Sequence, residues 1–401
     1  MRTHRHKLVI TYYMSLLTVY LTGCMTSTDG TSVDGHTENI IGGFPAESAA
    51  LDAIGMVGAI GVTATGPNTP VDVNCSGTLI DEDTVVTAKH CIRPFATLSA
   101  QNRTMVFAIG SDSKQPKQVV PVVAVEGAPG DAQGFVGMGH DVAVLHLGKP
   151  ITSVKFAKPA ALSDEQMDQA FVGIGYGMRD NNRLYGQRLV GTERLKATKG
   201  RTLEALFGSF DAYFENLYRI KPADCPAGGA GAPALPPVLP TPPLPGVVVI
   251  GPVTPCSQLD SARRAYDAQL LETAHEFVMS VDDGDAQPCK GDSGGPVVQI
   301  DDAGELVTYG VTSGGQTSSS MVCDYGTVYA SFMAPEVLEF VEEARSWIDP
   351  CANLAASGVC EGDVARRCST AAEGDRRVLT FDCKSLGLAC AVKEPGGVGC
   401  F

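Results

Sequence analysis

The run Cys289-Lys290-Gly291-Asp292-Ser293-Gly294-Gly295-Pro296 decides how the rest of the chain is read. A serine stands between glycines and directly follows an aspartate. Glycines let a backbone approach a ligand closely and adopt angles that other residues avoid. In such a loop the N–H groups of Gly291 and Ser293 can converge on a developing oxyanion. A serine hydroxyl is a weak nucleophile by itself and needs a neighbouring base. Two upstream stretches offer partners: Thr87-Ala88-Lys89-His90-Cys91, and His140-Asp141 leading into the apolar run Val142-Ala143-Val144-Leu145.

These three stretches resemble the nucleophile, histidine and aspartate motifs of the trypsin/chymotrypsin-like serine proteases. Lys89 departs from the second alanine usual in Thr-Ala-Ala-His-Cys. The order His90, Asp141, Ser293 is that family's order and differs from the orders of the subtilisins and α/β-hydrolases. The resemblance implies roles: Ser293 attacks a carbonyl, His90 moves the proton, and Asp141 holds the imidazole tautomer. The oxyanion hole would be the amides of Gly291 and Ser293. His140 lacks the histidine frame and reads as a surface or packing residue. The implied fold is all-β, two packed antiparallel barrels of chymotrypsin-like type closed by a C-terminal helix. The implied chemistry acts on protein or peptide substrates and needs neither cofactor nor metal. Disulfides Cys75–Cys91 and Cys289–Cys323 are also implied.

The family supplies expectations for the pocket and for activation. Gln287 takes the position six before the nucleophile, where trypsin-like members carry aspartate; Asp285 lies two residues too early for that role. A neutral amide cannot compensate a buried cation, so the primary pocket is expected to prefer uncharged residues. Ser313-Gly314-Gly315 replaces Ser-Trp-Gly, which makes Ser313 and Gly315 pocket residues that lack the tryptophan wall. Ile40-Ile41-Gly42-Gly43 resembles the mature terminus, whose freed amine would pair with Asp292. A buried carboxylate without such a partner is costly.

Composition bounds the rest. The 401 residues carry a net charge of −15 and are 44% hydrophobic, which suits an acidic globular protein and excludes a nucleic-acid surface built from clustered Lys and Arg. Arg2, Arg5 and Lys7 precede a mostly apolar run from Leu8 to Leu21, too short for a span of about 20 residues. Leu21-Thr22-Gly23-Cys24 resembles a bacterial lipobox. Residues 1–23 then form an export signal, Cys24 takes lipid, and 24–39 form a flexible tether rich in Thr, Ser, Gly and Asp. Met25 rather than aspartate after the lipid site points to the outer membrane, with release to the periplasm or exterior on cleavage. Removing Cys24 from the 13 cysteines leaves an even number, as an oxidising compartment favours.

Short strands are predicted at Leu51–Gly66, on either side of Asp81-Glu82-Asp83, and at Met105–Ile109, Gln118–Val125, Val142–Leu147, Gly295–Ile300 and Leu306–Thr312. The protease-like region runs 40–349. It is interrupted by an insertion at about 201–285 with helices predicted at Arg201–Tyr218 and Leu259–Val281. Between them Lys221–Pro255 holds 11 of the 25 prolines and is bracketed by Cys225 and Cys256, expected to pair. A terminal helix is predicted at Pro335–Ile348, with the single Trp347 packing near its end. Residues 350–401 carry six cysteines in a stretch poor in large apolar residues, a separate stapled module whose 15 possible pairings sequence cannot choose between. The rival reading is a non-catalytic lipoprotein binding module that keeps the fold.

Overall fold

Valine, isoleucine and alanine recur in short runs punctuated by Gly, Asp and Pro, and each run becomes a strand. The computed structural model describes residues 43–62, 69–130, 140–163, 166–167, 169–178, 185–226, 255–317, 323–355, 357–370, 376–393 and 397–401. Six strands close a first antiparallel barrel: β1 (Ile54–Gly61), β2 (Asp72–Leu79), β3 (Thr84–Ala88), β4 (Arg103–Ile109), β5 (Gln118–Gly127) and β6 (Val142–Leu147), in the order β1-β2-β3-β6-β5-β4. All six residues of β6 are buried. Its near-continuous apolar sequence therefore reflects burial on both faces, where strict alternation would mark a strand with one wet face.

A second barrel is formed by β7 (Ala170–Gly175), β8 (Leu189–Ala197), β9 (Glu276–Met279), β10 (Pro296–Ile300), β11 (Leu306–Thr317) and β12 (Cys323–Ser331). Its order is β8-β9-β12-β11-β10-β7, and β7 pairs with β8 to close it. The two barrels meet at Tyr176, which is fully buried. Its hydroxyl leaves the second barrel to reach the carbonyls of Ile54 at 2.9 Å and Gly110 at 2.5 Å in the first. Burial pushes that phenol well above its ordinary pKa. Fully buried Arg188 fixes the segment ahead of the first barrel, donating to the carbonyls of Ala46, Ser48 and Leu51 and to Asp52 Oδ1 at 2.9 Å.

The predicted helices are shorter than their periodicity suggests. Arg201–Tyr218 is two helices, α1 (Thr202–Phe207) and α2 (Phe210–Tyr218), split at Gly208 with φ 70°. Ser209 then caps the second helix by accepting from the Ala212 N–H. The predicted helix at Leu259–Val281 stops at α3 (Leu259–Ala268); beyond it lies strand β9, inside the stretch read as insertion. Burial on both faces of the strand decides the structure there. Val278 packs outward on the helices α1–α3, while Phe277 and Met279 pack inward with Phe171, Leu195 and Tyr329. The terminal helix α4 ends at Ala344, so Ile348 is 82% exposed. Trp347 lies past the helix end and stacks on His146 with ring centroids 4.1 Å apart.

Cys75–Cys91, Cys225–Cys256 and Cys289–Cys323 are joined. In the C-terminal module the pairs are Cys351–Cys368, Cys360–Cys390 and Cys383–Cys400. These hold a three-stranded and a two-stranded sheet around a core of Ala365, Cys383 and Val398. Cys24, Ile40, the tether and residues 227–254 of the proline-rich stretch lie outside the described residues.

Candidate active site

Strand register brings His90 and Asp141 together. β3 and β6 are antiparallel neighbours with Ala88 opposite Val142. His90 therefore leaves one strand end where Asp141 enters the other, and the Lys89 N–H donates to the Asp141 carbonyl at 3.0 Å. The Asp141 carboxylate is 1% exposed and accepts three hydrogen bonds. The His90 backbone N–H reaches Oδ1 at 2.8 Å, and His90 Nδ1 lies 2.7 Å from Oδ2. The third donor is the Ser313 hydroxyl, 2.6 Å from Oδ2. An ionised carboxylate can only accept, so it selects the Nδ1–H tautomer and leaves His90 Nε2 as the free base. The two sulfurs beside His90 are joined to each other and are not thiolate ligands.

The serine loop is pressed against the same strand end. Gly294 has φ 78°, and a Cβ there would fall 2.1 Å from Thr87 Oγ1 and 2.8 Å from the Ala88 nitrogen, so no other residue fits. The Ser76 N–H donates to the Ser293 carbonyl at 2.7 Å, one residue from the Cys75–Cys91 bridge. The Ser76 hydroxyl donates to the Gly291 carbonyl at 3.0 Å and accepts from the Tyr176 N–H at 3.0 Å. Among the described residues the amides of Gly291 and Ser293 have no hydrogen-bond acceptor. Lys89, the departure from the usual motif, reaches the carbonyls of Ala128 at 2.8 Å and Gly130 at 2.7 Å.

Asp292 is 2% exposed, and its oxygens accept from the N–H groups of Gly177 at 2.7 Å and Cys289 at 2.9 Å. No cation lies against it among the described residues, and burial pushes its pKa up to about 7.

Below the serine, Gln287 is satisfied by backbone on both sides. Its amide donates to the Ser280 carbonyl and accepts from the Gly326 N–H at 3.0 Å. Gly315 pairs with Thr327 across β11 and β12, next to the Gly326 that Gln287 bonds. Asp285 is held in an ion pair with Arg194. The hydroxyl of Ser313, read from the sequence as a pocket residue, donates to Asp141.

Sequence reading missed two residues of this region. Ser76 has no motif beyond following a cysteine. Glu193 is fully buried on β8, bonded by the hydroxyls of Ser280 at 2.6 Å and Tyr329 at 2.9 Å. Burial pushes its pKa up to about 8, so it is protonated near neutrality. The bland alternation of β8 carried a sign of it only as an acid on the inward face.

Two closed six-stranded antiparallel barrels with this constellation at their junction define a chymotrypsin-like architecture. The chain belongs to the trypsin family, whose model, described as Trypsin, matches residues 40–200 and 249–334. Coagulation factor IX of Oryctolagus cuniculus is 26% identical over 110 residues, covering 27% of this chain and 39% of that protein. The Cavia porcellus protein of the same name is 24% identical over 110 residues, covering 27% and 38%. The matched span is thus well under half the length of these curated relatives. A solved structure of neuropsin, a serine protease expressed in the limbic system of mouse brain, overlays with a TM-score of 0.45 at 15% identity, covering 75% of this chain and 98% of that one.

Proposed function

We propose that this chain is an exported serine endopeptidase that cleaves through an acyl-enzyme. The observation that carries the reading is the buried Asp141 carboxylate with its three donors, which leaves His90 Nε2 basic beside the serine loop. In this reading Ser293 Oγ attacks the scissile carbonyl and its proton passes to His90. The oxyanion is held by the amides of Gly291 and Ser293. His90 returns the proton to the leaving amine, and a water, deprotonated by the same ring, releases the acyl group.

The neutral Gln287 and the neutralised Asp285 support cleavage after uncharged residues. Cys24 would carry lipid and hold the uncut chain at a bacterial outer membrane. A cut before Ile40 would free both the amine for Asp292 and the enzyme from the membrane. Among the described residues no helix is long and apolar enough to cross a membrane.

The test is labelling with a fluorophosphonate together with peptide-library cleavage. Wild type should label at Ser293, and Ser293→Ala should neither label nor cleave while keeping its circular dichroism. Near-normal turnover by Ser293→Ala would overturn the assignment. A strong preference for Arg or Lys would overturn the pocket reading alone.

A further inference from the structure

His140, set aside in the sequence reading as a packing residue, belongs to a second cluster. Its ring centroid is 4.2 Å from that of His275. One ligand atom each from His140, Glu272 and His275 lies within 4.8 Å of the others. The three come from two segments: His140 precedes β6 of the first barrel, and Glu272 and His275 lie between α3 and β9 on the way into the second. Glu336, at the start of α4, completes the surroundings.

Both rings have an acceptor at each nitrogen. His140 Nδ1 is 2.9 Å from the Pro129 carbonyl and Nε2 is 2.7 Å from Glu272 Oε1. His275 Nδ1 is 3.2 Å from the Thr273 carbonyl and 3.9 Å from Glu272 Oε1, while Nε2 is 3.1 Å from Glu336 Oε1. A neutral imidazole has one N–H, so it answers one acceptor and turns a lone pair to the other. Two neutral rings therefore turn two lone pairs toward acceptors, on side chains only 18% and 13% exposed.

We propose that His140 Nε2, Glu272 Oε1 and His275 Nδ1 form a site for a divalent transition metal, best suited to zinc. Each ring is then neutral, with one lone pair on the metal and one N–H on an outer acceptor. His140 Nδ1–H donates to the Pro129 carbonyl and His275 Nε2–H to Glu336. Such outer partners are what fix the tautomer of metal-ligating histidines. Two His and one carboxylate are a recognised zinc donor set that leaves a fourth position for water. Ligand atoms each about 2.1 Å from a tetrahedral zinc lie roughly 3.4 Å apart; the contacts that Glu272 Oε1 makes with the two rings, 2.7 and 3.9 Å, bracket that span. Glu272 is 44% exposed, so its carboxylate can make the small adjustment. A bound ion would tie the residue next to Asp141 to the approach to the second barrel. The site does not depend on the protease reading.

The experiment is titration of the chelator-treated full chain with Zn²⁺, followed by thermal unfolding, and with Co²⁺, followed by visible absorption. Wild type should gain thermal stability with Zn²⁺ and show the absorption of cobalt in a nitrogen- and oxygen-bound tetrahedral site. His140→Ala and His275→Ala should lose both signals. Glu336→Gln should weaken binding by about 10- to 100-fold, as expected for an outer partner. Glu272→Gln changes a partly exposed side chain and serves if a histidine variant fails to fold; it too should lose high-affinity binding. His90→Ala should bind as wild type does. Absence of both signals in wild type, or equal titrations of wild type and Glu272→Gln, would overturn the proposal and leave the cluster as a hydrogen-bonded group that holds no metal.

Discussion

Asp292 is buried beside the candidate nucleophile with its carboxyl shifted far from its ordinary range. An ordinary aspartate titrates near 3.8, and burial raises this one to about 7. The folded state therefore holds a proton that the unfolded chain releases between those values. Stability from this group is full below about pH 4 and falls as pH rises through 7. For the chain uncut before Ile40 we expect the urea midpoint to decline across that window, and Asp292→Asn to flatten the decline. An ammonium delivered by a freed Ile40 would favour the charged form and remove the penalty, so the cut form should also be flat. Ser313 acts at the same scale by donating to Asp141. A hydrogen bond to a charged group is worth about 1.5–3 kcal/mol. We therefore expect Ser313→Ala to lower kcat roughly 10- to 100-fold with little change in KM, read from steady-state kinetics on a peptide ester. The candidate triad was legible because each member sits in a contiguous motif. Ser313's tie to Asp141 and Ser76's tie to Gly291 were not, since those partners are far along the chain and meet only across strand register.

Elements divide by how they bury their apolar residues. Strands such as β6 were legible from short apolar runs between turn residues, and the turn at Asp81-Glu82-Asp83 stands where it was read. Strand β9 was not, because it is four residues long and its consecutive apolar residues Phe277, Val278 and Met279 feed two different clusters, which leaves no polar alternation to mark a strand. The C-terminal module shows the opposite economy. Its buried core among the described residues is Ala365, Cys383 and Val398. A core so small leaves the fold to its three bridges. Cys383→Ser should cost that module about 2–5 kcal/mol and unfold residues 351–401 under conditions that leave the barrels intact. Hydrogen exchange by mass spectrometry would read the two regions separately; loss of protection in both barrels would show that the module is not independent.

At the scale of the whole molecule, the proposed activation asks whether Ile40 can reach Asp292. Pro45 pairs with Leu189, Leu189 pairs with Gly175, and a Cβ at Gly175 would lie 2.1 Å from Asp292 Oδ1. Two strand spacings make roughly 10 Å, and the five residues from Pro45 back to Ile40 extend to about 16–18 Å. Arg188 keeps the far end of that segment in place through its bonds to Ala46 and Ser48. The reach is sufficient, so activity should appear with the new terminus. N-terminal sequencing of membrane-bound and released fractions, alongside turnover, should find Ile40 in the active fraction. A fully active chain still joined at Asn39-Ile40 would refute the proposed activation.

The bridge between Cys225 and Cys256 gives the molecule a different property. It closes a covalent ring around residues 226–255, so hydrolysis of any one peptide bond inside that ring adds a water and removes nothing. A preparation nicked there would keep its apparent size on a denaturing gel and break into two fragments once a thiol reductant is added. Backbone integrity within that ring is therefore legible only after reduction, and a single band beforehand is compatible with a two-chain molecule.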